Sequence, residues 1–295
     1  MTAQTWIDRT RDLLLSGTVE TINRLDGAIA NATAATFTVE FPTGPIAPGS
    51  IIELGTELMY VTSTSGLSVT VMRGYGGSTA STSGHADNSI IRSSPQYPAH
   101  MILDALNDDL NDLSAKGLYQ VKTATFTYSA ATQGYNLASD VLAVHRVTFT
   151  DESADKSEPE VRRWSLRRNR DTSTFASGVA LVLADEPTSG QTVRVEYKAP
   201  FTTLALTSTA LTDTGLHTEA YDLPPMGAAL VLMAFKPIAR ESITTQAPIR
   251  RSEEVPSGAI SASIRDLRFR RQERIEAEKA RLSQLYPTQW LRSGE

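Results

Sequence analysis

IIELGTELMYVTSTSGLSVTVMRGYGGSTASTSGHADNSIIR, residues 51–92, decides the architecture of this chain. SIIEL, ELMYVTS and LSVTVMR are short runs rich in β-branched residues, separated by Gly55 and by Ser65–Gly66, and read as strands joined by turns. GYGGSTASTSGHADNS at 74–89 has no apolar periodicity and is expected to be an exposed loop, after which SIIRS is a closing strand. Upstream, FTVEF at 37–41 alternates and PTGPIAPG at 42–49 supplies a proline-rich turn. Residues 19–95 therefore form a small β module.

Helices flank this module. The first, within 1–18, is predicted to start at Thr5, whose hydroxyl can cap the amide of Asp8. Its apolar side would be Trp6, Ile7, Leu13 and Leu14, and Ser16–Gly17 would stop it. Pro95 and Pro98 lead into a connecting helix over 96–117. There Met101/Ile102, Ala105/Leu106 and Leu110/Leu113 share a face, while Asp104, Asp108, Asp109 and Asp112 lie mostly on the other side. Gly117 is a natural C-terminal cap.

Residues 118–222 read as a second β module. Its candidate strands are YQVKTATFTYS, VLAVHRVTFTD, VRRWSLRR, GVALVLAD and TVRVEYKA, in a sandwich or curved sheet, with an irregular Thr-rich loop over 201–220. Two C-terminal helices within 223–286 follow. One spans about 224–243 with a break at Pro237; the other spans about 260–286 with Ile264, Leu267, Ile275, Leu282 and Leu285 along a stripe. Arg274–Glu278, Glu276–Lys279 and Glu278–Arg281 are spaced as ion pairs along it. Pro287 ends that helix and leaves an extended tail over 287–295. The expected fold class is α+β: helix, β module, helix, β module, then two helices, the last long.

Composition narrows the function. The chain has 295 residues, 40% hydrophobic and 21% charged, enough to bury a core, and its net charge of −5 gives no general attraction to DNA or anionic lipid. Without cysteine there are no disulfides, thiol nucleophiles or cysteine-ligated metals. The charged N-terminus lacks the apolar core of a signal peptide, and the longest apolar run, Gly227–Phe235, falls short of the roughly 20 residues that span a bilayer. A soluble, cytoplasmically assembled protein without a membrane partner is expected.

No catalytic constellation emerges. His85, His100, His145 and His217 are scattered and read as surface or polar-network residues. GYGG at 74–77 lacks phosphate-loop spacing, and Ser81, His85 and Asp87 lie on one polar loop without a nucleophile elbow. Asp104, Asp108 and Asp112 read as a solvated helix face. No cofactor and no metal are expected, and the chain is expected not to be an enzyme.

Candidate contacts with a partner are Arg162, Arg163, Arg167, Arg168 and Arg170 around Trp164, then Arg268 and Arg271 on the final helix, and Trp290 and Leu291 in the tail. Arginines interleaved with an aromatic can hold nucleic acid. In an acidic chain a protein contact or a solvated strand edge is the better reading.

Residues 51–92 also resemble a β module that recurs in structural proteins of tailed bacteriophages. The matching positions are Glu57, Val61, Val69, Val71, Arg73, Gly74, Gly77, Thr79 and His85; the sequence departs from the pattern at Gly-Gly-Ser, where a Gly-Thr step is usual, and at Asn88, where glycine is usual. The C-terminal part, YDLPPMGAALVLMAFKPIARE and RRSEEVPSGAISASIRDLRFRRQERIEAEKARLSQLYP, resembles the helical portion of head–tail connector (neck) proteins of actinobacterial-type phages. The resemblance implies a virion structural protein that forms a homo-oligomeric ring, usually a dodecamer. Such a ring lies at the head–tail interface, contacts the portal protein and a downstream neck or tail-completion protein, and lets genomic DNA pass without sequence-specific binding. The alternatives are a minor tail, baseplate or tail-tip protein, a wall-degrading enzyme, and a nucleic-acid binder using the arginines.

Overall fold

The computed structural model describes residues 1–15, 20–132, 134–150, 158–184, 187–235 and 259–287, with side chains in the last segment from residue 262. The fold is α+β and divides into two compact units. One comprises residues 1–110, 203–214 and 218–272, the other 111–202, 215–217 and 273–295.

The first unit is built on a closed, all-antiparallel barrel of six strands: β1 Ile22–Asp26, β2 Thr36–Val39, β3 Ile51–Leu54, β4 Glu57–Ser65, β5 Ser68–Met72 and β6 Ile90–Ser93. Their order around the barrel is β1-β2-β5-β4-β3-β6, and β6 closes on β1 through Asn23↔Ile91. Closure leaves no open sheet edge. Alternate residues fill the interior with Leu25, Phe37, Val39, Ile52, Leu54, Met59, Val61, Val69, Val71 and Ile91, all buried. β1, INRLD, has no apolar run to announce it. Its inward positions are Leu25 and Asn23, and Asn23 is tolerated because its side-chain amide donates to the Phe41 carbonyl and accepts from the Phe41 N–H.

Helix α1, Ala3–Leu15, begins earlier than expected. Thr2 pairs with Ala210, and the first helical amides, Ala3 and Gln4, donate to the Thr209 and Thr207 carbonyls, so a distant segment rather than Thr5 satisfies the start. Ala3, Trp6, Ile7, Thr10, Arg11 and Leu14 are buried, whereas Leu13 is exposed, because the 3.6-residue period carries Thr10 and Arg11 inward in its place. Trp6 meets Tyr221 edge-to-face with ring centroids 5.5 Å apart.

Helix α2 spans Ala99–Ala115. Glu53, on the outer side of β3, accepts the Ala99 N–H at 2.6 Å and pairs with Arg11, which also donates to the Tyr97 carbonyl. One barrel carboxylate thus caps α2 and anchors α1. Helix α3, Leu223–Phe235, packs within the same unit, and 236–258, including Pro237 and Arg250–Arg251, lies outside the described residues. Helix α4 spans Ala259–Leu285. Asp109 is not part of the solvated face of α2: it is buried and pairs with Arg271 of α4 at 2.5 Å. A Cβ on Gly227 would lie 1.6 Å from Asp109 Oδ1, so any larger residue at this spot in α3 must push the Asp109 carboxylate aside.

The second unit holds two three-stranded sheets around one core. The first has the order β7-β12-β9, with β7 Gln120–Thr127, β9 Ala143–Phe149 and β12 Thr192–Ala199. The second has the order β10-β11-β8, with β8 Tyr135–Asn136, β10 Trp164–Arg167 and β11 Ala180–Leu183. Val147, Leu181, Val193, Val195 and Tyr197 are buried between them, with Phe126, Tyr135, Trp164 and Leu166 packed against that core. Phe126 stacks on Tyr135 with centroids 3.9 Å apart, which ties the two sheets together. The later part of α4 contributes Ile275, Glu278 and Leu282 as buried residues, while Leu285, expected on the stripe, is exposed. The Thr-rich stretch is irregular apart from 3-10 turns at Leu211–Thr214 and Thr218–Ala220.

Candidate functional site

The residues that carry the resemblance converge at one end of the barrel. Glu57 opens β4 with interior-facing parity, so its carboxylate lies at the barrel mouth, only 1% exposed, beneath the 74–89 loop. Arg73, just past β5, reaches it with both nitrogens of a fork: Nε donates to Oε1 at 2.6 Å and Nη2 to Oε2 at 2.7 Å. The Gly74 N–H donates to Oε1 at 3.1 Å and the Ser81 N–H to Oε2 at 3.0 Å. His85 Nε2 is 2.9 Å from Oε2. The remaining Arg73 nitrogen, Nη1, donates to the Asn31 and Ala34 carbonyls.

Burial raises the pKa of Glu57, but the hydrogen bonds from Arg73, His85 and Ser81 outweigh it and lower the pKa from 4.5 to about 2. Five donors converge on a group with about four lone-pair positions, so the carboxylate is committed to holding the loop.

The loop is therefore exposed but held in place. His85 bridges Ile29 through its backbone, and Ser78 Oγ accepts the Leu58 N–H. Gly84, at φ +70°, lies so close to the strand partner that a Cβ would fall 1.8 Å from the Ile29 carbonyl oxygen. Asn88 has φ +62°. Asparagine is among the few L-residues at ease in the left-handed region, so the departure from glycine at this position keeps the backbone conformation. Ser81 and Asp87 do not form a triad with His85: Ser81 Oγ donates to the Gly84 carbonyl, Asp87 accepts from Gly27 and Asn88, and His85 turns to Glu57.

Of the arginine cluster, Arg167 lies on β10 and the others flank that strand. Trp164 and Leu166 face the core, while Arg162, Arg163, Arg167, Arg168 and Arg170 are exposed. Arg168 and Arg170 have internal roles. Arg168 donates to the Val141 and Leu142 carbonyls at 2.6 and 2.7 Å, and the Arg170 guanidinium lies 5.8 Å from the centre of the Phe175 ring. On α4, Arg268 is exposed. Arg271 corrects the sequence reading, since its burial against Asp109 takes it out of any outward-facing surface. Trp290 and Leu291 lie outside the described residues. His145 meets Tyr286 edge-to-face, and His100 lies on α2. Among the described residues no group of three His, Cys, Asp or Glu is placed to hold a metal ion, and no helix is long and apolar enough to cross a membrane.

The chain matches no protein-family model and no curated protein.

Proposed function

We propose that the protein is a non-enzymatic structural component of a tailed-bacteriophage virion, a head–tail adaptor that acts as one subunit of a ring between portal and tail. The observation that carries this reading is the knot at Glu57. The residues behind the resemblance, Glu57, Arg73, Gly74 and His85, form one buried cluster in which the Glu57 carboxylate is taken up in fixing a surface loop. A catalytic carboxylate needs a lone pair or proton directed at substrate. This one holds a loop in shape, as a module that presents a fixed surface to neighbours requires.

Two further features suit the role. Helix α4 has 27 residues, and the exposed Arg268 and Phe269 on it leave a surface open to a neighbouring subunit. A closed ring needs heterologous contacts, one surface of each subunit meeting a different surface of the next. The net charge of −5 is compatible with DNA moving through the ring without adhering to it.

Immunogold labelling of intact virions tests the position. Gold at the head–tail junction is the expected result. Gold at the tail tip or baseplate would move the protein to the tail, and virions without label would end the virion reading.

A further inference from the structure

The strand that the arginines surround, β10, is an edge strand of its sheet among the described residues. β10 pairs with β11 through Trp164↔Leu183, Ser165↔Val182, Leu166↔Leu181 and Arg167↔Ala180, and among the described residues no strand pairs with its other side. The register fixes which backbone groups are involved. The Ala184 N–H donates to the Arg163 carbonyl, so the 163/184, 165/182 and 167/180 pairs carry the ladder hydrogen bonds. The other side of β11 agrees, since the Leu137 N–H donates to the Val179 carbonyl and puts residues 179 and 181 towards β8. The N–H and C=O of Trp164 and Leu166 consequently point out of the open edge.

These outward groups form a short template for another extended chain, and the exposed Arg162 and Arg167 flank it. The same arginines oppose pairing of β10 with β10 of a second copy, because an antiparallel match would bring like charges together. An incoming strand of opposite charge meets no such barrier.

We propose that the β10 edge is a docking site for an acidic extended segment of a partner protein, which adds to the sheet as a fourth strand. Backbone hydrogen bonds to Trp164 and Leu166 would set its register, and its carboxylates would face Arg162 and Arg167. The inference goes beyond the adaptor reading and does not depend on it, because the edge is a property of the sheet alone.

The test uses the full chain and four probes in fluorescence anisotropy: the labelled peptide Glu-Val-Thr-Val-Thr-Glu-Thr, whose two glutamates are five residues apart like Arg162 and Arg167, the same peptide with lysine for glutamate, the same peptide with proline at its centre, and a single-stranded DNA 12-mer. The acidic peptide should bind at least about tenfold more tightly than the lysine and proline versions, with affinity falling as salt rises. Arg162→Glu combined with Arg167→Glu should abolish that preference. Leu166→Pro removes an N–H that β11 does not use, so it should weaken peptide binding while the fold, read by circular dichroism, persists. If Leu166→Pro fails to fold, hydrogen exchange decides: the Trp164 and Leu166 amides of the unsubstituted protein should slow at least about tenfold on adding the acidic peptide. Equal binding of the acidic and proline peptides, or no slowing at those two amides, overturns the proposal. Tighter binding of DNA than of the acidic peptide overturns it in favour of a nucleic-acid surface.

Discussion

Glu57→Gln changes one oxygen to an NH2 group and removes the charge from the knot. Oε1 accepts from Arg73 Nε and Gly74 N, while Oε2 accepts from Arg73 Nη2 and Ser81 N and contacts His85. Whichever way the new amide turns, its NH2 faces at least two donors that need an acceptor. Lowering the carboxyl pKa from 4.5 to about 2 corresponds to at most about 3 kcal/mol of charge stabilisation, nearer to 1–2 once solvent on the open side of the loop is allowed for. The stranded donors add about 1–3 kcal/mol. The expected loss is therefore roughly 2–5 kcal/mol in the first unit. It is read by urea unfolding followed through Trp6 fluorescence in a Trp164→Phe, Trp290→Phe background, with hydrogen exchange over 74–89 measured in parallel. Faster exchange confined to the loop and its strand ends should accompany the loss. A change under about 0.5 kcal/mol with unaltered loop exchange would refute the claim that this carboxylate holds the loop.

Acid should release the same loop. Because the folded-state pKa of Glu57 lies below its unfolded value, the stabilisation is complete above about 4.5 and disappears as pH falls towards 2, so the Ser81 and Gly74 amide resonances should titrate with a midpoint near 2; a midpoint near 4.5 would count against the knot. Gly227→Ala should cost about 3 kcal/mol or more, since its Cβ must displace the Asp109 carboxylate from buried Arg271, and a urea midpoint equal to that of the unsubstituted protein would show that α3 does not pack so closely there. Asn88→Gly should be close to neutral and Asn88→Val should cost about 1–2 kcal/mol, with equal losses arguing against a left-handed backbone at this turn.

Much of the barrel was legible because FTVEF and LSVTVMR alternate at the period of a strand with one buried face. β1 was not, since INRLD buries an asparagine whose partner, Phe41, is 18 residues away. The start of α1 was misplaced for a similar reason: local capping chemistry favours Thr5, but the chain ends its amides on Thr207 and Thr209, some 200 residues on. Asp109 and Arg271 each look like solvated helix charges, and only a contact across 162 residues makes them a buried pair. Glu57, Arg73 and His85 stood out in the sequence through the resemblance alone. Their spacings of 16 and 28 residues carry no periodic signal, so their meeting depends on how the strands register. The basic, strand-like character of 162–170 was readable, whereas its position at a sheet edge depended on which strand pairs with which.

The central claim is that the protein assembles as a ring on the portal. Mass photometry of the purified protein, alone and mixed with the portal protein encoded in the same genome, tests it most directly. The account predicts a discrete complex with portal, its mass equal to one portal ring plus a fixed whole number of 32.0 kDa subunits. Persistence of separate portal rings and free subunits at micromolar concentrations would contradict it.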